Sequence, residues 1–215
     1  MAGIKLLACG TPNGKKIGLF LRLLNLDYDL QLISLAKKEQ KLPEFLKLNP
    51  NGRIPTLVDS NTGITISQSG PVLAYLAENY DKDYKFSYRQ GTPEYYKQLE
   101  ILAFQISENG PIQGQAEHFI TFAPEKIPYG ITRYTNETKR IYLVFEEYLN
   151  RNKDNGPYLV GDHYSIADVA LYPWANGLGR LGIDINEWPL LSKWFSEFGK
   201  FPGVKEGMDF DKLKV

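Results

Sequence analysis

Apolar positions fall first into short runs and later into long one-sided stripes. Ile4 to Ala8 is a brief apolar run of strand length. From Gly14 to Leu26 the apolar residues Ile17, Leu19, Phe20, Leu23 and Leu24 make the stripe of an amphipathic helix. Leu30 to Leu35 alternates Leu30, Leu32 and Ile33 with polar residues, which reads as a strand. Leu42 to Leu48 makes a helical turn or two, closed by the turn cluster Asn49-Pro50-Asn51-Gly52. Thr56 to Asp59 and Ile64 to Ser67 flank Ser60-Asn61-Thr62-Gly63, a hairpin signal. Ser69 then precedes a helical stripe of Val72, Leu73, Tyr75, Leu76 and Tyr80. A helix between the first two strands implies parallel pairing, and the hairpin adds antiparallel strands. The expected shape is a mixed four-stranded sheet with helices on its faces.

Beyond Asp81 the pattern changes. Residues 82–91 are polar, contain Gly91 and suit an interdomain linker. Thr92 with Pro93 and Glu94 starts a helix, and a second helical pattern runs from about Ile131 to Asn150. Ser165 and Asp168 have capping-box spacing, with Asp in place of the preferred Glu. Trp188 to Phe198 is the last clear helix. The reading is an α/β domain over 1–81 and an all-helical domain over 92–215. With 215 residues, 43% of them hydrophobic, the chain can bury a good core. Lys+Arg and Asp+Glu each count 25, so no global field favours nucleic acid or an anionic membrane. The single cysteine, Cys9, excludes an internal disulfide framework and a cysteine zinc cluster, and two separated histidines, His118 and His163, argue against a metal. No signal peptide and no apolar run of the ~20 residues needed to span a bilayer is visible. The expectation is a soluble, cytoplasmic protein of a reducing compartment.

Candidate chemistry gathers in the first domain, because loops at the strand ends of an open α/β sheet meet on one edge where ligands bind. Ala8 to Gly14, "ACGTPNG", stands at such a point. Thr11 supplies a hydroxyl, Asn13 a cap-like amide, and the helix start a positive dipole end. A free thiol has a pKa of ~8.5, and one unit of lowering is about 1.4 kcal/mol. A dipole term of roughly 0.3–1 kcal/mol with one or two hydrogen bonds covers one to two units. Taken alone, the loop reads better as a cap with no ligand. Pro55 in Arg53-Ile54-Pro55-Thr56 belongs at a strand's first position or edge. Either the Ile54–Pro55 bond is cis and Ile54 offers its backbone to an incoming peptide, or a trans proline simply opens an edge strand. Gln68-Ser69-Gly70 begins the next helix with Ser69 as its cap, suited to a carboxylate or to capping alone. Gln40 and Arg53 stand on neighbouring loops, able to meet a second carboxylate or to be solvated.

A sulfur site, a backbone-pairing proline and carboxylate pockets are what a small, doubly carboxylated thiol peptide requires. "NPNGRIPTLVD", "SQSGPVLAYLAE" and "YSIADVALYPW" stand at the spacing of the glutathione transferase superfamily, which the chain resembles over essentially its whole length. "TPNG" with QAEHF-like and IPYGITRY-like segments resembles the fungal class related to the yeast nitrogen-catabolite regulator, and the bacterial nu class. The resemblance implies a thioredoxin-like amino-terminal domain, an all-α carboxy-terminal domain, a homodimer and glutathione as cosubstrate without a metal. It places Thr11 and Asn13 at the glutathione sulfur, Gln40 and Arg53 near the glycyl end, and the Ile54 backbone beside the cysteinyl portion with Pro55 cis. Gln68 and Ser69 would hold the γ-glutamyl end, and Arg133 would reach the ligand from the helical domain. Most relatives carry Glu at the position of Gln68; a neutral amide lacks that charge, so weaker affinity for glutathione is expected. Arg53 replaces a common Lys. Cys9 lies two residues before the position of the family's catalytic cysteines and is read as a small buried residue. Tyr129, Tyr134, Phe119, Phe122 and Trp174 are candidates for a hydrophobic pocket or plain core, and Ser165 with Asp168 for folding.

The implied activity is thiolate stabilisation without a protein nucleophile. Glutathione then attacks a disulfide sulfur, a peroxide oxygen or an electrophilic carbon, with disulfide or peroxide reduction favoured over conjugation. The alternative is a non-catalytic binding or regulatory protein. The yeast regulator's prion-like amino-terminal arm is missing here, which argues against that role.

Overall fold

The structure is a computed structural model that describes residues 3–210; positions 1–2 and 211–215 of the expected domains lie outside the described residues. Contacts sort the chain into two units, one reaching to Asp83 and rejoined from Lys200 onward, the other Tyr84–Gly199.

The first unit runs β1 (Ile4–Ala8), α1 (Pro12–Leu23), β2 (Tyr28–Leu32), a 3₁₀ turn (Glu39–Lys41), α2 (Pro43–Leu48), β3 (Thr56–Asp59), β4 (Ile64–Ser67) and α3 (Ser69–Tyr80). The four-stranded sheet has the order β2-β1-β3-β4. β1 pairs parallel with β2 and antiparallel with β3, and β3 pairs antiparallel with β4. This is a thioredoxin-like sheet. β1 and both hairpin strands span the residues that the pattern predicts. β2 does not: it covers Tyr28–Leu32 rather than Leu30 to Leu35. Its extent is set by its partner, since Ile4 lies opposite Tyr28 and Ala8 opposite Leu32. Past that point Ile33 turns inward instead, packing with Leu7 and Phe45.

Ile17, Leu19, Phe20 and Leu21 of α1 are fully buried. α3 is fastened to β3 through Asp59, whose Oδ2 accepts from the hydroxyls of Tyr75 and Tyr80. Ser69 is not the cap of α3, as expected, but its first helical residue. Gln68 takes the cap position at φ +75° and makes no side-chain cap bond. The Ser69 hydroxyl is engaged elsewhere, by Lys16.

The second unit is helical: α4 (Pro93–Phe104), a π-helical turn (Gln105–Asn109), α5 (Gly110–Glu117), a second π turn (His118–Phe122), α6 (Pro128–Asn152), α7 (Ile166–Ala175) and α8 (Pro189–Lys200). Thr92 caps α4 by accepting the Tyr95 N–H at 3.2 Å, with Pro93 in the first turn. Every residue of α7 is buried. Its capping box is complete: Ser165 Oγ accepts from the Ala167 N–H, while Asp168 Oδ2 accepts the Ser165 N–H at 2.8 Å. A buried polar row ties α5, α6 and α7 together. Tyr142 donates to Gln113 Oε1 at 2.8 Å, and Gln113 Nε2 donates to the Trp174 carbonyl at 2.8 Å.

The chain then returns to the first unit through α9 (Val204–Gly207), which packs on α1. Gly207 permits that approach, because a Cβ there would stand 2.7 Å from Leu19 Cα. Among the described residues no helix is long and apolar enough to cross a membrane.

Candidate functional site

Sheet register alone gathers the candidate loops of the first unit. Leu7 pairs with Thr56 and Thr56 with Ser67, so the end of β1, the start of β3 and the end of β4 share one edge. The segments carrying Thr11 and Asn13, Ile54 and Pro55, and Gln68 and Ser69 all leave from that edge.

Thr11 caps α1 with extended backbone, φ −72° and ψ 160°, and its Oγ1 accepts the Gly14 N–H at 3.4 Å. An oxygen that accepts there still has its own O–H to donate. The Thr11 N–H is itself held by the Cys9 carbonyl at 2.8 Å. Gly14 is required by close approach: a Cβ would lie 2.1 Å from that same carbonyl. Half-buried Cys9 thus contributes its main chain to the loop. Asn13 follows in the first turn, and its Oδ1 accepts from Ser69 Oγ at 3.4 Å, which joins the starts of α1 and α3.

Two residues missed by the pattern complete this edge. Lys16 is 1% exposed and donates through Nζ to Ser69 Oγ at 3.1 Å. Burial pushes its ammonium down to about 7. The available signal was its place one turn before the core residue Phe20, on the same helix face. Asn49 is buried as well. Its Nδ2 donates to the Arg53 carbonyl at 2.7 Å and to Thr56 Oγ1 at 3.3 Å, while Oδ1 accepts the Asn51 N–H at 3.1 Å. Thr56 Oγ1 lies 3.0 Å from Ser67 Oγ, so a hydrogen-bonded path runs from the Arg53 turn to the segment before Gln68. Replacing Asn49 with alanine strands these partners and is expected to cost about 1–3 kcal/mol, measured as a lower urea midpoint.

The Ile54–Pro55 bond is cis, and both residues precede the first paired residue of β3. Arg53 and Gln68 are exposed. Gln40 sits on the 3₁₀ turn, where Lys41 Nζ donates to the Asn51 carbonyl at 3.2 Å and holds it against the Arg53 turn. Among the described residues the buried Gln40 Oε1 has no hydrogen-bond partner. Arg133 belongs to α6 in the helical unit. It lines a cavity of about 510 Å³ there with Ile112, Tyr129, Thr132, Tyr134 and Asn136. Of the other aromatic candidates, Phe119 stacks on Tyr134, Phe122 is 68% exposed and Trp174 is buried.

Comparison with known proteins identifies the family. Family profiles described as "Glutathione S-transferase, N-terminal domain" and "Glutathione S-transferase, C-terminal domain" match residues 11–79 and 125–202. The disulfide-bond oxidoreductase YfcG of Escherichia coli is 39% identical over 203 residues, covering 92% of this chain and 91% of its own. A glutathione transferase homologue from Lodderomyces elongisporus, solved with two glutathione molecules per subunit, superposes with a TM-score of 0.94 at 56% identity, covering 97% of this chain and 98% of its own. The glutathione transferase URE2P8 of Phanerochaete chrysosporium, solved with oxidized glutathione, gives 0.90 at 34% identity, covering 96% and 94%. A thioredoxin-like unit followed by a helical one, with relatives of the Ure2 type, places this chain in the glutathione S-transferase family.

Proposed function

We propose that the chain is a glutathione-dependent enzyme of thiol–disulfide exchange, with the sulfur of glutathione as nucleophile. The observation that carries this reading is the donor set at the start of α1: the Thr11 hydroxyl and the Asn13 amide, at the positive end of the helix dipole. Hydrogen-bond donors and a helix amino terminus beside a thiol favour the thiolate. The thiolate attacks one sulfur of a disulfide; the S–S bond breaks, a mixed disulfide with glutathione forms, and the other sulfur leaves as a thiolate that takes up a proton. A second glutathione thiolate attacks the mixed disulfide, releasing oxidised glutathione and the second thiol. Two glutathione molecules thus supply two electrons. Reduction of a peroxide uses the same pair. Relatives solved with two glutathione molecules or with oxidised glutathione, and one named for disulfide chemistry, support this reading over conjugation.

In this reading the Ile54 backbone, with Pro55 beside it, pairs with the cysteinyl portion, and Gln68 and Ser69 hold the γ-glutamyl end. Gln40, through its side-chain amide N–H, and Arg53 take the glycyl carboxylate. Arg133, within the helical unit's own cavity, serves an anionic group on the second molecule. The enzyme works as a homodimer and needs no metal.

The test is steady-state formation of oxidised glutathione from a small disulfide. Thr11→Ala removes one donor from the sulfur and is expected to lower kcat/KM about tenfold or more with glutathione affinity little changed. Glutathione binding without disulfide or peroxide turnover would show a binding protein instead, and vigorous aryl-halide conjugation without disulfide turnover would show a different reaction.

A further inference from the structure

Lys16 is a buried amine to which thiol–disulfide exchange assigns no step. It lies on the inner face of α1 and reaches Ser69 Oγ at 3.1 Å, and Ser69 Oγ reaches Asn13 Oδ1 at 3.4 Å. In such a row each choice of donor constrains the next. Below about pH 7 Lys16 is an ammonium, which carries protons and no lone pair, so it donates. Ser69 Oγ accepts that bond and directs its single proton to another acceptor, which is Asn13 Oδ1. With its oxygen tied to Ser69, what the Asn13 side chain can present to a ligand is N–H.

We infer that Lys16, acting through Ser69, is a positioning residue that fixes the polarity of the Asn13 amide, so that Asn13 meets the glutathione sulfur as a hydrogen-bond donor and not as a carbonyl acceptor. The inference rests on the function proposed above, in which a thiolate forms at the start of α1. The distinction matters because a carbonyl oxygen turned toward a thiolate repels it, whereas an amide N–H attracts it. The row also divides the work of Ser69. Its hydroxyl belongs to the internal relay, which leaves its main-chain N–H, in the first turn of α3, for the γ-glutamyl carboxylate. Lys16 touches no substrate in this scheme; it acts through two intermediaries.

The experiment compares the full-length wild type with Lys16→Met and Ser69→Ala. The thiol of bound glutathione is titrated by its ultraviolet thiolate absorption, and affinity is measured separately by calorimetry. Each variant breaks the row at a different place and is expected to raise the pKa of the bound thiol by about one unit, a roughly tenfold lower thiolate fraction below that pKa. Glutathione affinity is expected to stay within about twofold, so the loss falls on kcat. The double variant is expected to be no worse than either single one, since both interrupt one relay. An unchanged bound-thiol pKa in Lys16→Met, or effects of the two substitutions that add, overturns the inference. Ser69→Ala deletes a single oxygen and tests the same relay if Lys16→Met does not fold: an unchanged bound-thiol pKa there overturns the inference equally. A wild-type thiol that shows no acidification at all overturns the proposed function, and this inference with it.

Discussion

Replacing Asp168 with alanine is expected to remove a large share of the protein's stability. The carboxylate is fully buried and accepts from four donors: Ser165 N–H at 2.8 Å, Ser165 Oγ at 3.0 Å, Leu159 N–H at 3.1 Å and Trp194 Nε1 at 2.8 Å. Burial pushes its pKa up, and each of the four bonds pulls it back. These donors belong to the start of α7, the loop before it and α8, so one carboxylate holds three segments of the helical unit in register. Alanine leaves all four donors buried without a partner, for which about 3–5 kcal/mol is a fair scale. Against a total stability of about 5–15 kcal/mol that is a large share, and for a chain of this length it corresponds to a melting point lower by roughly 10 °C or more. Asp168→Asn separates volume from charge. Whichever way the amide turns, its NH₂ faces one of the two donor pairs. Facing the Leu159–Trp194 pair it finds two N–H groups; facing the Ser165 pair it finds one N–H and a hydroxyl that can rotate to accept. The expected loss is about 2–3 kcal/mol, smaller than for alanine and still measurable in a urea titration. Loss within about 0.5 kcal/mol for both variants would show that the box does not hold this unit together.

How far such features are legible depends on how local their causes are. Thr11, Pro12 and Gly14 announce a helix start because a cap oxygen, a fixed φ and a permissive residue act within one turn. The hairpin is legible for the same reason, since two runs flank a four-residue turn cluster. β2 is not, because a parallel strand ends where its distant partner ends and not where its own alternation does. Ser69 is misread as a cap because Lys16, 53 positions away, takes its hydroxyl. Lys16 itself sits in a Lys15-Lys16 pair that looks like solvated surface, and only the inward face shared with Phe20 betrays it. Asn49 reads as a turn residue, yet its amide spans from the Arg53 carbonyl to Thr56. Secondary structure is therefore open to local reasoning. The contacts that organise the candidate site are not, since each joins residues brought together only by the finished sheet.

Lys16 carries a second expectation, about stability. In the folded chain burial lowers its pKa from 10.5 to about 7. Between those values the unfolded chain binds a proton at this position that the folded chain does not, so stability rises with pH through that window. Below it both forms are protonated and the burial penalty is present in full. Tyr28 and Tyr75, raised to about 12 by burial, act in the opposite sense only above about 10, where the unfolded chain begins to lose its tyrosine protons. The wild type is accordingly expected to gain on the order of 2 kcal/mol between about pH 7 and pH 9, read from urea midpoints. Lys16→Met keeps the length of the side chain and discards the amine. That variant is expected to be more stable than wild type near pH 6 by about 1–4 kcal/mol and to lose this part of the pH slope. Other titrating groups are common to both proteins, so the difference between the two curves reports Lys16 alone. A variant that keeps the wild-type slope would place the titration on another residue. A substitution that stabilises the fold while raising the bound thiol's pKa would separate the two roles of this amine, because a residue kept for packing alone would lose stability on removal and leave the sulfur untouched.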